Sequence, residues 1–211
     1  MTVITISREL GSRGTEIAED VAAYINAICV DKEVLAEMAS QAGVSVEVIA
    51  ETEERLSTKP AFVSDEMRSL FASRQPVGAK STAAMDEKEY SSAASSAIRK
   101  LAERGNVVFV GRGSQLVLAD WPAALHVRLH ASLEVRAARI HTRRGLADMA
   151  SARRIIQRAD EQRRNWFKRV FDGADLNDPH HYDLMLNTGR LNTQLVVDLI
   201  VTAAREQRYK K

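Results

Sequence analysis

Residues 3–18 read VITISRELGSRGTEIA. The first four are apolar or β-branched, which suits a buried strand. From Arg13 onward apolar residues recur at Ile17, Val21, Tyr24, Ile25 and Ile28, a helical spacing that predicts a helix from Arg13 to about Ile28. Between strand and helix lies SRELGSRG. A strand that turns through glycines into a helix offers a phosphate two things: inward-pointing backbone N–H groups and the positive end of a helix dipole. Gly11, Ser12 and Gly14 meet that need, and Arg13 stands where a phosphate-binding lysine would be expected. Thr15 or Ser12 can supply a hydroxyl to magnesium. Taken alone, the stretch also reads as an ordinary turn.

The rest of the chain decides which loop this is. At 211 residues it is long enough for one sizeable core. A net charge of +2 argues for no particular partner. The single cysteine, Cys29, excludes an internal disulfide framework and fits a reducing compartment. No apolar run approaches the roughly 18 residues of a membrane span. The opening MTVITISRE lacks a charged leader before an apolar core, so the expectation is a cytoplasmic protein without a membrane partner.

Helices are expected at 33–43, 45–57 with Ser45 as N-cap, 89–105, 132–145 with Ser132 as N-cap, 149–171 and 191–208. NVVFVG (106–111) is the clearest strand, with ALHVRL (124–129) and YDLMLN (182–187) as others. Residues 57–90 are less regular and read as an inserted helical region with a loop at about 76–85. Strands alternating with helices predict an α/β fold with a parallel sheet covered on both faces. Ligands in such sheets sit beyond the carboxyl ends of the strands.

Three stretches occupy such ends. The first is SRELGSRG. The second is Asp31-Lys32 after AICV, where Asp31 can meet a ribose, a base or a metal-bound water, or simply cap the next helix. The third is GRGS (111–114), which sets Arg112 between two glycines. A guanidinium fork there suits bidentate phosphate recognition, and a structural ion pair is the plainer reading. Arginine is then dense between Arg136 and Arg169, with Asp160 among the forks. Such charges usually coat a solvated helix face. A lid that neutralises charge during phosphoryl transfer would want the same composition. Trp166 and Phe167 also admit an RNA-binding helix, against which the near-neutral net charge weighs. His126, His130, His141, His180 and His181 show no ligand spacing with Cys29, so no structural zinc is expected.

In order, ITISRELGSRGTEIAEDVA, VDKEVLAEMA, VVFVGRGSQLVL, RIIQRADEQRRNWF and YDLMLNTGRL resemble the cytidylate kinase-like family, a branch of the P-loop nucleoside monophosphate kinases. The resemblance covers nearly the whole chain. It implies a three-layer P-loop NTPase fold with a central parallel sheet of about five strands. It implies a single kinase-like domain over 1–211, a helical acceptor-binding insertion at 45–90 and a lid-like segment at 143–172. It further implies ATP and Mg2+ as donor and cofactor, with CMP, dCMP or a similar acceptor. Gly11, Ser12, Arg13, Gly14 and Thr15 would cradle the donor phosphates, with Arg8 as a second cation beside them. Thr15 or Ser12 would meet the metal. Asp31 and Arg112 would face the acceptor, while Arg158, Asp160, Arg163 and Arg164 would lie near the transferring phosphate. The chain departs from cytidylate kinases proper in reading SRGT for GKGT and in placing Gly113 where they carry Asp. Those departures leave two alternatives: a nucleotide-binding or regulatory protein with impaired catalysis, and a P-loop kinase for another small acceptor.

Overall fold

The computed structural model describes residues 2–31, 33–56, 86–122 and 124–207. The expected loop at 76–85, most of the irregular 57–90 region and Lys32 lie outside the described residues. Two compact units divide the chain. One comprises Met1–Asp31, Leu101–Glu161 and Asn177–Lys211; the other comprises Lys32–Lys100 and Gln162–Leu176.

The first unit holds a five-stranded sheet in the order β2-β3-β1-β4-β5. The strands are β1 Val3–Arg8, β2 Ile28–Val30, β3 Val107–Val110, β4 Ala124–His130 and β5 Leu184–Asn187. Every pairing is parallel. Parallel strands need crossover connections, and the helices supply them. Helix α1 (Gly14–Tyr24) links β1 to β2, and α8 (Thr193–Gln207) follows β5. Alternation along β1 sends Ile4 and Ile6 to one side, where Ile17 and Val21 of α1 and Val196, Val197, Ile200 and Val201 of α8 cover them. In register with them are Leu125 and Val127 of β4, and Leu129 joins the same core. The opposite side of β1 carries Thr5 and Ser7, which oppose His126 and Arg128.

Helix α1 stops at Tyr24, four residues before its expected end. Asn26 takes a left-handed φ of 52°, and its turn delivers Ile28 into β2. The apolar periodicity runs on through the turn because Ile25 still packs on the core. In the same unit, α5 (Ser114–Val117) is a single turn after β3 that the sequence pattern did not suggest. Helix α6 (Leu133–Arg144) is capped by Ser132, whose hydroxyl accepts from the Val135 N–H. It packs through Ala137 and Ile140 against Ala152 and Ile156 of α7 (Met149–Val170), whose C-terminal part belongs to the second unit.

That second unit is helical where it is described. Helix α2 (Glu33–Ala42) buries Val34, Leu35, Met38 and Ala39. Helix α3 (Val46–Leu56) begins at Ser45, whose hydroxyl accepts from the Val48 N–H at 3.4 Å. Helix α4 (Glu87–Glu103) opens on a reciprocal capping box between Asp86 and Glu89, at 2.8 and 2.9 Å. Tyr90 meets Trp166 edge-on, and Trp166 in turn meets Phe171. Trp166 and Phe167 are therefore core residues of this unit, not exposed stacking surfaces.

Candidate functional site

The loop after β1 is built from its own backbone and one hydroxyl. The Glu9 carbonyl accepts from the Ser12 N–H at 3.1 Å and from Ser12 Oγ at 2.8 Å. Ser12 is wholly buried, so its hydroxyl is committed inside the loop. Leu10 anchors the loop in the apolar contact between α6 and α7. Gly11 has a φ of +86° and lies so close to α6 that a Cβ would stand 2.9 Å from the Arg136 carbonyl. Arg13 is the N-cap of α1, and the first internal bond of the helix runs from the Ile17 N–H to the Arg13 carbonyl. The N–H groups of Gly14, Thr15 and Glu16 precede that bond and mark the positive end of the helix. Thr15 is exposed there.

At the neighbouring strand ends, Arg8, Asp31 and Arg112 come together. Arg8 Nη2 donates to Asp31 Oδ2 at 3.4 Å. Arg112 Nε donates to the Asp31 carbonyl at 3.0 Å and lies 3.9 Å from Oδ1. Gly111, Arg112 and Gly113 all adopt left-handed φ, of 77°, 56° and 67°. Such a conformation is unfavourable for an arginine unless its surroundings hold it. Here the bond to Asp31 does so, and the Ser114 hydroxyl closes the turn onto the Gly111 carbonyl at 2.9 Å.

Behind the loop is a buried polar network. Arg128, on β4 and almost without exposure, donates to Ser7 Oγ at 3.1 Å and to Asn177 Oδ1 at 2.6 Å. Tyr182 reaches Ser7 Oγ at 3.4 Å and receives Gln115 Nε2 at 3.2 Å. The Glu9 carboxylate accepts from the Ala131 N–H at 3.2 Å and pairs with Arg136 at 3.2 Å. Arg136 also holds Asp160 at 2.8 Å. Arg139 donates to the Gly11 carbonyl and, at 2.6 Å, to the Thr188 carbonyl. Burial, and then the charge of Arg13 nearby, lower its pKa from the usual arginine range. Glu9 and Arg128 are not among the site residues expected from the sequence. Arg128 had a visible signal: His126, Arg128 and His130 alternate with apolar residues, which marks one polar face on an inner strand.

The other expected residues fall at different places. Arg13 is exposed and donates to Thr193 Oγ1 at 3.1 Å, at the start of α8. Arg158 is exposed on α7 and Asp160 half-buried, both in the first unit. Arg163 is half-buried and Arg164 exposed, and both belong to the second unit. His180 sits exposed in a 3-10 turn, Pro179–His181. Among the described residues no group of three or more His, Cys, Asp or Glu side chains is placed to hold a metal, and no helix is long and apolar enough to cross a membrane. A magnesium ion that travels with a nucleotide needs no such cage. Such an ion takes most of its oxygens from phosphates and water, and the exposed hydroxyl of Thr15 on the first turn of α1 can supply one more.

A sequence model of the cytidylate kinase-like family matches residues 3–190. A cytidylate kinase of Methanopyrus kandleri is 38% identical over 100 residues, which cover 44% of this chain and 51% of that protein. The chain spans about half the length of the curated cytidylate kinases it matches. Among solved structures, an uncharacterized protein from Eubacterium ventriosum aligns over 97% of this chain and 98% of its own, with a TM-score of 0.68 at 21% identity. A gluconokinase from Sinorhizobium meliloti aligns over 97% of this chain and 92% of its own, with a TM-score of 0.51 at 15% identity. These two structures share the fold, a parallel sheet of P-loop kinase type with flanking helices.

Proposed function

The chain belongs to the cytidylate kinase-like family, and from that premise we propose that it is a nucleoside monophosphate kinase, which transfers the γ-phosphoryl group of ATP to CMP, dCMP or a similar acceptor. One observation carries the reading. The ends of β1, β2 and β3 bring the N-terminus of α1 together with two guanidinium groups around Asp31.

In this reading the N–H groups of Gly14 and Thr15 receive oxygens of the donor phosphates, and the loop from Gly11 to Arg13 shapes the cradle. Thr15 Oγ1 would hold Mg2+, which supplies neutralisation of the β- and γ-phosphate charge when bound with ATP. Arg112, fixed by Asp31, offers a fork to the acceptor's phosphate. Asp31 is one-third exposed and keeps its carboxylate within reach of an acceptor hydroxyl or amine. Arg158, Arg163 and Arg164 would act from the lid. Asp160 acts through Arg136 and the Glu9 carboxylate, so its part is positioning. No covalent intermediate is needed: catalysis is alignment and charge neutralisation. The cytoplasm, with its ATP, is the proposed place of action.

A second reading draws on Ser12. Its N–H and hydroxyl both turn to the Glu9 carbonyl, which removes two donors from the loop and favours nucleotide binding without turnover. ADP formation from MgATP, measured with and without CMP, dCMP, UMP and AMP, separates the two. Stimulation by CMP or dCMP that disappears in Arg112→Ala is the expected result. Stimulation only by another acceptor would make the chain a kinase for that compound. MgATP binding without turnover for any acceptor would establish the second reading.

A further inference from the structure

The loop contains two arginines and no lysine, and the structure treats the two differently. Arg13 stands in the lysine's place by order. Yet its guanidinium is exposed and directed to Thr193 Oγ1, beside Arg139. Arg8 is held in a slot. A Cβ on Gly14 would clash with the Arg8 Cβ and stand 2.5 Å from its Cγ. A Cβ on Gly111 would clash with Arg8 Nη1 and stand 3.1 Å from Cζ. Gly14 has no left-handed φ to explain it, so the room it leaves for the Arg8 stem is its structural reason. The Arg8 side chain thus runs from the first residue of α1 to the tip of β3 and ends on Asp31. It retains 25% of its exposure there.

This course takes a positive charge from the helix N-terminus to the Arg112–Asp31 pair. A terminal phosphate held by the N–H groups of Gly14 and Thr15 would lie against the Arg8 stem, within reach of its fork. An arginine cannot reproduce a lysine's compact geometry from the helix's own first turn, but it can deliver charge to the same place from the end of the strand.

Resting on the kinase reading above, we propose that Arg8 is the cation that binds the terminal phosphate of the nucleoside triphosphate, and that Arg13 instead ties the loop to helix α8. The glycines at 14 and 111 are then specificity determinants of the site, because they make the slot.

Calorimetric binding of MgATP and MgADP to the wild type, Arg8→Gln and Arg13→Gln tests this without an acceptor. Glutamine keeps part of the Arg8 stem and removes the charge. Arg8→Gln should weaken MgATP by roughly 10–100-fold, the range for lost hydrogen bonds to a charged group, and MgADP by under about threefold. Arg13→Gln should leave the ratio of the two affinities near its wild-type value. Arg8→Lys, which restores charge without the fork, should recover part of the preference for ATP. A selective loss in Arg13→Gln with none in Arg8→Gln would overturn the assignment while leaving the kinase reading intact. An equal loss of both nucleotides in Arg8→Gln would reduce Arg8 to a structural part and overturn it too. If the folded wild type binds neither nucleotide, the phosphate cradle itself is refuted, and the proposal with it. Gly111→Ala supplies an independent check: it should displace Arg8 and reproduce the selective loss.

Discussion

The two faces of β1 differ in chemistry. Ile4 and Ile6, wholly buried, meet α1 and α8 and join a continuous apolar core. One residue out of step, Thr5 and Ser7 meet His126 and Arg128, and an ion pair from Arg128 leads on to Glu9 in the loop after β1. A single strand of six residues thereby separates stability from positioning. The apolar face needs only volume and contact. Its polar counterpart needs named partners at hydrogen-bond distance, because a buried donor left alone is costly.

The largest effect on stability is expected at Ile6. Ile6→Ala should cost about 2–5 kcal/mol in urea unfolding, since it opens a cavity in the packed core. Nucleotide affinity of the fraction that remains folded should hardly change. On the opposite face Arg128→Met should cost less, about 1–3 kcal/mol, through lost hydrogen bonds to Ser7 and Asn177. Its larger effect should fall on phosphate binding, because Ser7 and Glu9 lose an anchor. A Met variant that destabilises as much as Ile6→Ala yet binds normally would erase the distinction between the faces.

A pH titration sharpens it further. Burial lowers the pKa of His126 below its ordinary 6.5, against the opposing pull of Asp183. Unfolded chains then take up the proton first, so stability should decline as pH falls from about 6.5 through the lowered folded value. The melting temperature of wild type should drop across that window, and His126→Gln, which cannot titrate, should show a flatter profile. Smallest of all is the effect of Arg153→Ala. Its pair with Glu134 is solvent-exposed, and thermal melting should show no resolvable change.

Much of this was legible in the residue pattern. Alternation and period placed the strands at 106–111, 124–129 and 182–187 within a residue or two, because a parallel sheet must bury β-branched runs. The end of α1 was not legible, since Ile25 continues the apolar period into a turn set by Asn26. Asp86 and Glu89 carried a readable cap that the sequence reading passed over. The site divides in the same way. Gly11, Gly14 and Gly111 announced close approaches in the sequence, but what approaches them depends on α6 and on the path of Arg8. Glu9 stands beside its partners only because β1 pairs with β4 more than 100 residues away. Arg8 and Arg13 read alike as loop arginines, and only the packing against Gly14, Gly111 and Thr193 tells them apart.

In the proposed reading a loop without a lysine still cradles phosphates through its backbone N–H groups. Amide shifts of 15N-labelled protein on addition of Mg2+ and a non-hydrolysable ATP analogue address it most directly. The largest changes are expected at the N–H groups of Gly14 and Thr15, with a further change at Gly111 as Arg8 engages the terminal phosphate. Saturable binding that leaves those three amides unmoved and shifts residues elsewhere would contradict it.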